Sequence, residues 1–253
     1  MIILDRLETG YMQKPVLHIP HQEFGEGKII SLIGRNGSGK STLLKTMVGL
    51  LPYKGSVKVD GRELSEMRDK ERARFVSYLP QSLTVPDMDV ATLVAHGRYV
   101  RLGFSRVLGE TDRQAVHRAM EITDVAHLKD RRLRSLSGGE RQRAFLAMVI
   151  AQDTKMLLLD EPSTYMDVAH QKEITEILQR LAEGGKGVIL ASHDLQQSFS
   201  VSDQLCILDH GEIAACGTPE DLAARPDLLR ASLGVALKKC CDPGLLYPYV
   251  LSQ

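Results

Sequence analysis

The sequence predicts an α/β fold organised around a parallel sheet, and three stretches carry that prediction. The apolar run Ile29-Ile30-Ser31-Leu32-Ile33 leads directly into Gly34-Arg35-Asn36-Gly37-Ser38-Gly39-Lys40-Ser41-Thr42, with a helix over 43–50 behind it. A second run, Met156-Leu157-Leu158-Leu159, ends in Asp160-Glu161. A third, over 187–190, ends in Ala191-Ser192-His193-Asp194 ahead of a polar helix. Short, wholly apolar runs read as strands buried on both faces. Open α/β sheets bind ligands beyond the carboxyl ends of their strands, and all three runs deliver polar, chemistry-bearing residues there.

The first stretch matches Gly-x-x-x-x-Gly-Lys-Ser/Thr in the strand-to-helix setting that a phosphate-binding loop requires. Gly34, Gly37 and Gly39 let the backbone curl until successive N–H groups face one point, and the helix N-terminus adds the positive end of its dipole. Lys40 has the reach for β- and γ-phosphates, and the Ser41 hydroxyl is a hard oxygen ligand suited to Mg2+. Residues Gly34 to Thr42, with Arg35, Asn36 and Ser38 among them, are therefore predicted to bind a nucleoside triphosphate. Asp160 can hold the cation's shell, and Glu161 can polarise the water that attacks the γ-phosphate. An Asp-Glu pair after an apolar run is by itself more often a solvated acidic turn. A phosphate loop upstream reverses that weighting. His193, at the same sheet edge, is predicted to contact the γ-phosphate and orient Glu161.

Along the chain, 1–86 reads as strands around the loop helix. Ser56-Val57-Lys58-Val59 precedes the turn Asp60-Gly61, and a strand over 75–79 brings up Pro80-Gln81. From 87 to 150 the texture is helical. Segments 87–97 and 113–122 carry apolar residues at three- and four-residue spacing, Val116, Met120 and the downstream Val125 among them. Gly103 and Gly109 punctuate the loop between these segments. Leu136-Ser137-Gly138-Gly139-Glu140 opens a helix through Ala144, Ala147 and Ile150. Ser137 is placed to cap it, and Gly138-Gly139 leave N–H groups uncovered, which makes a second anion site distinct from the phosphate loop. From 151 strands and helices alternate: the Met156 strand, a helix through Ile174, Ile177, Leu178 and Leu181, the Gly187 strand, and strands over 204–208 and 212–216 around the turn His210-Gly211.

Leu136-Ser137-Gly138-Gly139-Glu140-Arg141-Gln142-Arg143 resembles the signature motif of ATP-binding-cassette (ABC) ATPases, and the likeness covers nearly the whole chain. Tyr11 falls where that family stacks an aromatic on adenine. Gln81 matches the glutamine that senses the γ-phosphate and metal, and His193 the switch histidine. Ser163-Thr164-Tyr165-Met166-Asp167 fits the segment that touches the opposing subunit. Glu140 departs from the glutamine many members carry, but a carboxylate near a helix N-terminus is electrostatically favourable. The resemblance implies a RecA-like phosphate-loop core over 1–86 and 151–253, with an antiparallel β part near the N-terminus and an inserted helical subdomain over 87–150. It also implies ATP and Mg2+ as ligands, with Ser41, Gln81 and Asp160 on the metal. Two chains are expected head to tail, the signature residues Leu136, Ser137, Gly138, Gly139 and Glu140 of one closing over the ATP of the other.

In the same family a groove beside the helical insert grips a cytoplasmic helix of a membrane permease. The string Thr92-Leu93-Val94-Ala95-His96-Gly97-Arg98-Tyr99, with Arg101, Leu102 and Phe104 following, together with Asp160-Glu161-Pro162-Ser163-Thr164-Tyr165-Met166-Asp167 and His170-Gln171, resembles importers of iron–siderophore, haem and cobalamin complexes. The implied protein is a peripheral ATPase on the cytoplasmic face of the inner membrane, coupled to permease subunits and indirectly to a substrate-binding protein. Alternatives are a cassette serving another substrate or an exporter, and a soluble cassette protein in assembly or nucleic-acid maintenance. The latter predicts a long coiled-coil insertion or tandem cassettes, and the sequence has neither.

Composition sets further bounds. The 253 residues can bury a sizeable core. Lys+Arg and Asp+Glu number 32 each, which argues against affinity resting on nucleic-acid phosphates. The basic clusters Arg131-Arg132-Leu133-Arg134 and Arg141-Gln142-Arg143 read as solvated surface, the alternative being that a share of them faces the nucleotide or a partner. No apolar run approaches the ~18 residues of a membrane span, and Met1-Ile2-Ile3-Leu4-Asp5 lacks a signal-peptide layout. The four cysteines show no disulfide framework and no zinc spacing. Cys206 and Cys216 are expected as small reduced hydrophobes in strands. Cys240-Cys241, adjacent and unable to pair easily, leave a redox or metal role open. The remaining histidines (His18, His21, His96, His117, His127, His170, His210) show no ligand spacing.

Overall fold

The computed structural model describes residues 1–11, 14–102, 107–163, 168–240 and 249–252. The chain opens with two long antiparallel strands, β1 (Ile2–Tyr11) and β2 (Lys14–Phe24), before β3 (Ile29–Ile33) enters the centre of the molecule. The loop helix α1 (Lys40–Met47) begins three residues earlier than the apolar pattern suggested, because Lys40 itself is helical. Strands β4 (Tyr53–Val59) and β5 (Arg62–Glu63) flank the Asp60-Gly61 turn and join the first two in a four-stranded antiparallel sheet, order β2-β1-β4-β5. A single-turn helix, α2 (Asp69–Arg72), leads to β6 (Val76–Leu79).

Three helices follow: α3 (Val90–His96), α4 (Glu110–Ile122) and α5 (Gly138–Ala151). The Asp89 side chain caps α3 by accepting from Thr92 N, so that helix starts later than 87. Gly109 stands at the N-cap of α4, and Val116, Met120 and Val125 are all buried. Gly103 and Phe104 lie outside the described residues. Arg98 stitches this region to its neighbours, donating to Asp112 and to the Ala151 carbonyl.

The chain then returns to alternation: β7 (Met156–Asp160), α6 (Val168–Glu183), β8 (Gly187–Ala191), α7 (Leu195–Val201), β9 (Gln204–Asp209) and β10 (Glu212–Gly217). Two short helices, α8 (Pro219–Ala223) and α9 (Pro226–Leu233), and a hairpin of β11 (Ala236–Lys239) and β12 (Tyr249–Ser252) end it. The central sheet has the order β10-β9-β3-β8-β7-β6 and is parallel except for β10. Every residue of β3, β7 and β8 is buried, as a sheet covered on both faces demands. One apolar cluster joins α3–α6 to one side of this sheet, and a second fills the space between it, α1 and the antiparallel sheet. At ~25 cal/mol per Å² these clusters are the main favourable term in folding.

One expectation is overturned. Cys206 and Cys216 are not separate reduced thiols but a disulfide across β9 and β10. A register shift between Ile213 and Ala215 sets Cys216 directly opposite Cys206, with 4.3 Å between their Cα atoms. No sequence spacing announces a β-bulge, and without that extra residue Cys216 would face a different partner. Cys240 is a free cysteine, and Cys241 lies outside the described residues.

Candidate functional site

The phosphate loop is built by close packing. Gly39 stands at the N-cap of α1 with φ +108°, and a Cβ there would lie 2.4 Å from Leu17 Cδ2. At Gly34 a Cβ would lie 2.2 Å from the Leu208 carbonyl oxygen. The loop is thus wedged between β2 and the end of β9, and only glycine fits at these two points. Among the described residues no side chain caps α1, so its first N–H groups stay open to an anion. They border a cavity of about 510 Å³ lined by Asn36, Gly37, Lys40, Ser41, Gln81, Glu161 and His193 among others.

Charge in the cavity is finely opposed. Lys40 is buried, and its Nζ donates to Gly34 O at 2.8 Å and Arg35 O at 3.2 Å. Burial pulls the ammonium below the ordinary lysine pKa, while Glu161 and Asp160 push the other way. Ser38 Oγ is buried with no hydrogen-bond partner among the described residues. An orphaned hydroxyl costs roughly 1–3 kcal/mol, and an incoming phosphate oxygen is an acceptor of the right kind.

The carboxylates come from the end of β7. Asp160 is almost fully buried; Ser41 Oγ donates to its Oδ1 at 3.0 Å and Tyr78 OH to its Oδ2 at 3.2 Å. Desolvation pushes the Asp160 carboxyl above its usual range, against the two hydroxyl donors. Burial, with Asp160 beside it, pushes the Tyr78 phenol up as well. Glu161 adopts φ +51°, a left-handed conformation rare for a side chain of this kind, and its N–H donates to Ala191 O at 3.0 Å. Such a backbone costs on the order of 1–3 kcal/mol and persists only where its surroundings impose it. Here it turns the carboxylate into the cavity. Gln81 Nε2 donates to Glu161 Oε2 at 2.8 Å, and His193 Nδ1 lies 3.2 Å from the same oxygen. Residues from three strand ends, β6, β7 and β8, meet on one carboxylate.

The signature residues stand elsewhere. Ser137 caps α5 through a reciprocal pair: its Oγ accepts from Glu140 N at 3.2 Å, and its N–H donates to Glu140 Oε2 at 2.8 Å. Those bonds hold the Glu140 carboxyl below its usual range and turn it back onto its own helix. The departure from glutamine is therefore a capping residue. Leu136 is buried beneath the turn, and in the first turn of α5 Gly138 is exposed and Gly139 partly so. None of these five borders the cavity. A Cβ on Gly139 would lie 2.9 Å from His170 Cδ2, so α6 presses on the same turn. Arg143, expected at a solvated surface, is buried and pairs with Glu173 of α6.

Of the residues expected at the nucleotide, Asn36, Gly37, Gly39, Lys40, Ser41, Thr42, Gln81, Glu161 and His193 line one cavity, and Asp160 joins through Ser41. Gly34, Arg35 and Ser38 form the loop behind it. Tyr11 is half-exposed at the end of β1 and is not on the wall, whereas Val16 is. Thr164 to Asp167 lie outside the described residues. Sequence reasoning missed Tyr78 as a partner of Asp160. Its alternation in β6, pointing to the face of the carboxylate, was the available signal.

A phosphate loop at the carboxyl edge of a parallel sheet, with two carboxylates, a glutamine and a histidine gathered on it, defines a phosphate-loop ATPase. A model of the ABC transporter family matches residues 17–164. The chain is 38% identical over 251 residues to the ferric enterobactin transport ATP-binding protein FepC of Escherichia coli, spanning 98% of this chain and 92% of that one. It is 36% identical over 252 residues to the iron(3+)-hydroxamate import ATP-binding protein FhuC of Bacillus subtilis, 98% and 93% of the two chains. The structure superimposes on cbiO1 of Clostridium perfringens, part of the ABC transporter complex cbiONQ, with a TM-score of 0.79 at 25% identity, covering 91% and 93%. An inward-facing transporter described as of metal-chelate type shares the fold at TM-score 0.83 and 23% identity, covering 100% and 97%. The chain belongs to the ABC transporter family, and it is an ATP-binding and ATP-hydrolysing subunit coupled to transport. Among the described residues no helix is long and apolar enough to cross a membrane.

Proposed function

We propose that this chain powers an importer for an iron–siderophore or a related metal chelate, working as a head-to-tail dimer against permease subunits at the cytoplasmic face of the membrane. The observation that carries the catalytic half is the convergence of Gln81 and His193 on Glu161 at the mouth of the phosphate loop. The chelate is supported by the likeness to siderophore import subunits over nearly the full length.

In this reading the N–H groups at the start of α1 and Lys40 bind the triphosphate, and Ser38 Oγ gains its missing partner. The γ-phosphate draws Lys40 Nζ off the Gly34 and Arg35 carbonyls. Mg2+ fits the donor set: Ser41 Oγ and Asp160 Oδ1, both hard oxygens 3.0 Å apart, would hold it, with the amide oxygen of Gln81 at the rim. Bound there, it supplies charge neutralisation on the β- and γ-oxygens. Glu161 accepts a proton from the attacking water, His193 holds that carboxylate and approaches the γ-phosphate, and Gln81 holds the same carboxylate oxygen from the end of β6. Tyr11 stacks on adenine. The signature turn of Leu136, Ser137, Gly138, Gly139 and Glu140 faces the nucleotide bound by the partner chain, with Leu136 packed beneath it and Glu140 capping its helix.

The test is reconstitution with a many-span permease and its substrate-binding protein in vesicles. Iron–siderophore uptake that requires ATP, this chain and an intact Lys40 is expected, with hydrolysis rising when the loaded binding protein is added. ATP hydrolysis that no permease alters would overturn the import reading.

A further inference from the structure

Behind the site, outside the residues that touch nucleotide, lies a buried side-chain amide that the roles above leave unused. Gln197, in the first turn of α7, is 3% exposed. Ser163 Oγ donates to its Oε1 at 3.3 Å, and its Nε2 donates to Thr175 Oγ1 at 3.1 Å. The Thr175 hydroxyl in turn donates to Gln171 O at 3.0 Å, within α6. The Gln197 N–H donates to Asp194 Oδ1 at 3.0 Å, which closes the N-cap of α7. Donors and acceptors run in one direction: Ser163 to Gln197 to Thr175 to Gln171.

The chain positions explain what this line of bonds connects. Ser163 is two residues beyond Glu161, separated from it only by Pro162, which stiffens that link. Gln197 is four residues beyond His193, one helical turn into the helix whose cap begins right after that histidine. Thr175 anchors both to the middle of α6. A single amide therefore spans the segment that carries Glu161 and the helix that directly follows His193.

We infer that Gln197 is a positioning residue for hydrolysis: its amide fixes the Glu161 turn and the His193 helix relative to each other and thereby sets the 3.2 Å contact between the two side chains. The physical argument is directional. A buried amide bonded at both ends, Oε1 to the Ser163 hydroxyl and Nε2 to Thr175 Oγ1, ties the two segments at fixed distances and angles, and turning it by 180° would require both hydroxyls to reorient and Thr175 to give up its bond to Gln171 O. Apolar packing alone, being non-directional, does not discriminate shifts of a few tenths of an ångström. A misplacement of about 1 Å in a catalytic group costs up to about 10²-fold. The inference rests on the reading of Glu161 and His193 as the reacting pair.

The experiment is steady-state hydrolysis with Mg-ATP in the full-length chain, normalised to ATP-binding stoichiometry from calorimetry. Gln197→Leu keeps the volume and strands no buried group, because Thr175 still donates to Gln171 and Ser163 reaches solvent. It is expected to lower kcat per bound ATP by about 10–100-fold with the Kd for ATP within twofold of wild type, on the order of 0.4 kcal/mol or less. Gln197→Glu, which can accept from Ser163 and from a turned Thr175 hydroxyl, should retain more activity than the leucine variant. Thr175→Val, remote from nucleotide, should lower kcat in the same sense, and it decides the matter if Gln197→Leu does not fold. A purely structural amide would lower thermal stability but leave kcat per bound ATP unchanged, and that result overturns the inference. Glu161→Gln serves as control. If it too keeps wild-type turnover, the assignment of the base has failed; if it alone is inactive, only the role of Gln197 has.

Discussion

Replacing Glu161 by Gln isolates the proton-accepting function from everything else the residue does. Its carboxylate oxygen receives Gln81 Nε2 at 2.8 Å and stands 3.2 Å from His193 Nδ1. A glutamine carbonyl can take the Gln81 bond, and the backbone hydrogen bond to Ala191 O is untouched, so the strained turn at φ +51° survives. What disappears is the base and one negative charge among the groups nearest the γ-phosphate. General-base contributions run to about 10²–10⁴-fold, or about 2.7–5.4 kcal/mol of activation free energy at 1.36 kcal/mol per decade. Affinity resides in Lys40 and the loop amides and should hold or improve, because the same carboxylate no longer repels the triphosphate. Phosphate release under saturating Mg-ATP measures the first effect and calorimetry the second. With hydrolysis blocked, the ATP-bound head-to-tail dimer should persist on size-exclusion chromatography, and adding Ser137→Arg, which fills the opposing anion site, should return monomers. Turnover within threefold of wild type would show that Glu161 is not the base. A double variant that still dimerises with ATP would remove the signature turn from the interface.

Lys40→Ala should weaken ATP binding by about 10–150-fold, the 1.5–3 kcal/mol of a charge-assisted hydrogen bond, and equal calorimetric affinity in the two proteins would exclude the loop as the phosphate site. Asp160→Asn should stabilise the ligand-free chain by about 0.5–2 kcal/mol, roughly 2–4 °C in Tm per kcal/mol, while abolishing the extra stability conferred by Mg-ATP. The sign follows from burial: the Asp160 carboxyl is raised in the folded chain, so relative to the unfolded chain its contribution is fully present below the ordinary carboxylate pKa and is lost as pH rises through the folded one. The Tm advantage of the asparagine variant should therefore shrink as pH is lowered toward 4, and a pH-independent difference would place the cause elsewhere.

What the sequence by itself determined is whatever depends on neighbours in the chain. The run Ile29 to Thr42 reads as strand, loop and helix because glycine spacing, lysine reach and helix-start chemistry are all local. The same holds for the cap of α5, where Ser137 and Glu140 are three residues apart, and for the apolar strands that end in Asp160 and His193. Tertiary structure decided what depends on register and on which strands lie side by side. Gln81, Glu161 and His193 meet because β6, β7 and β8 are adjacent in the order of the sheet, an order no single strand encodes. Cys206 and Cys216 are joined because a bulge in β10 shifts their register by one residue. Tyr78 and Gln197 read as ordinary polar positions until packing partly buries the first and wholly buries the second, and only then do their hydrogen-bonding groups demand the partners 82, 34 and 22 residues away. Burial turns a polar side chain from a solvated one into a directional constraint, and burial is set by the assembled sheet and helices rather than by the local run of residues.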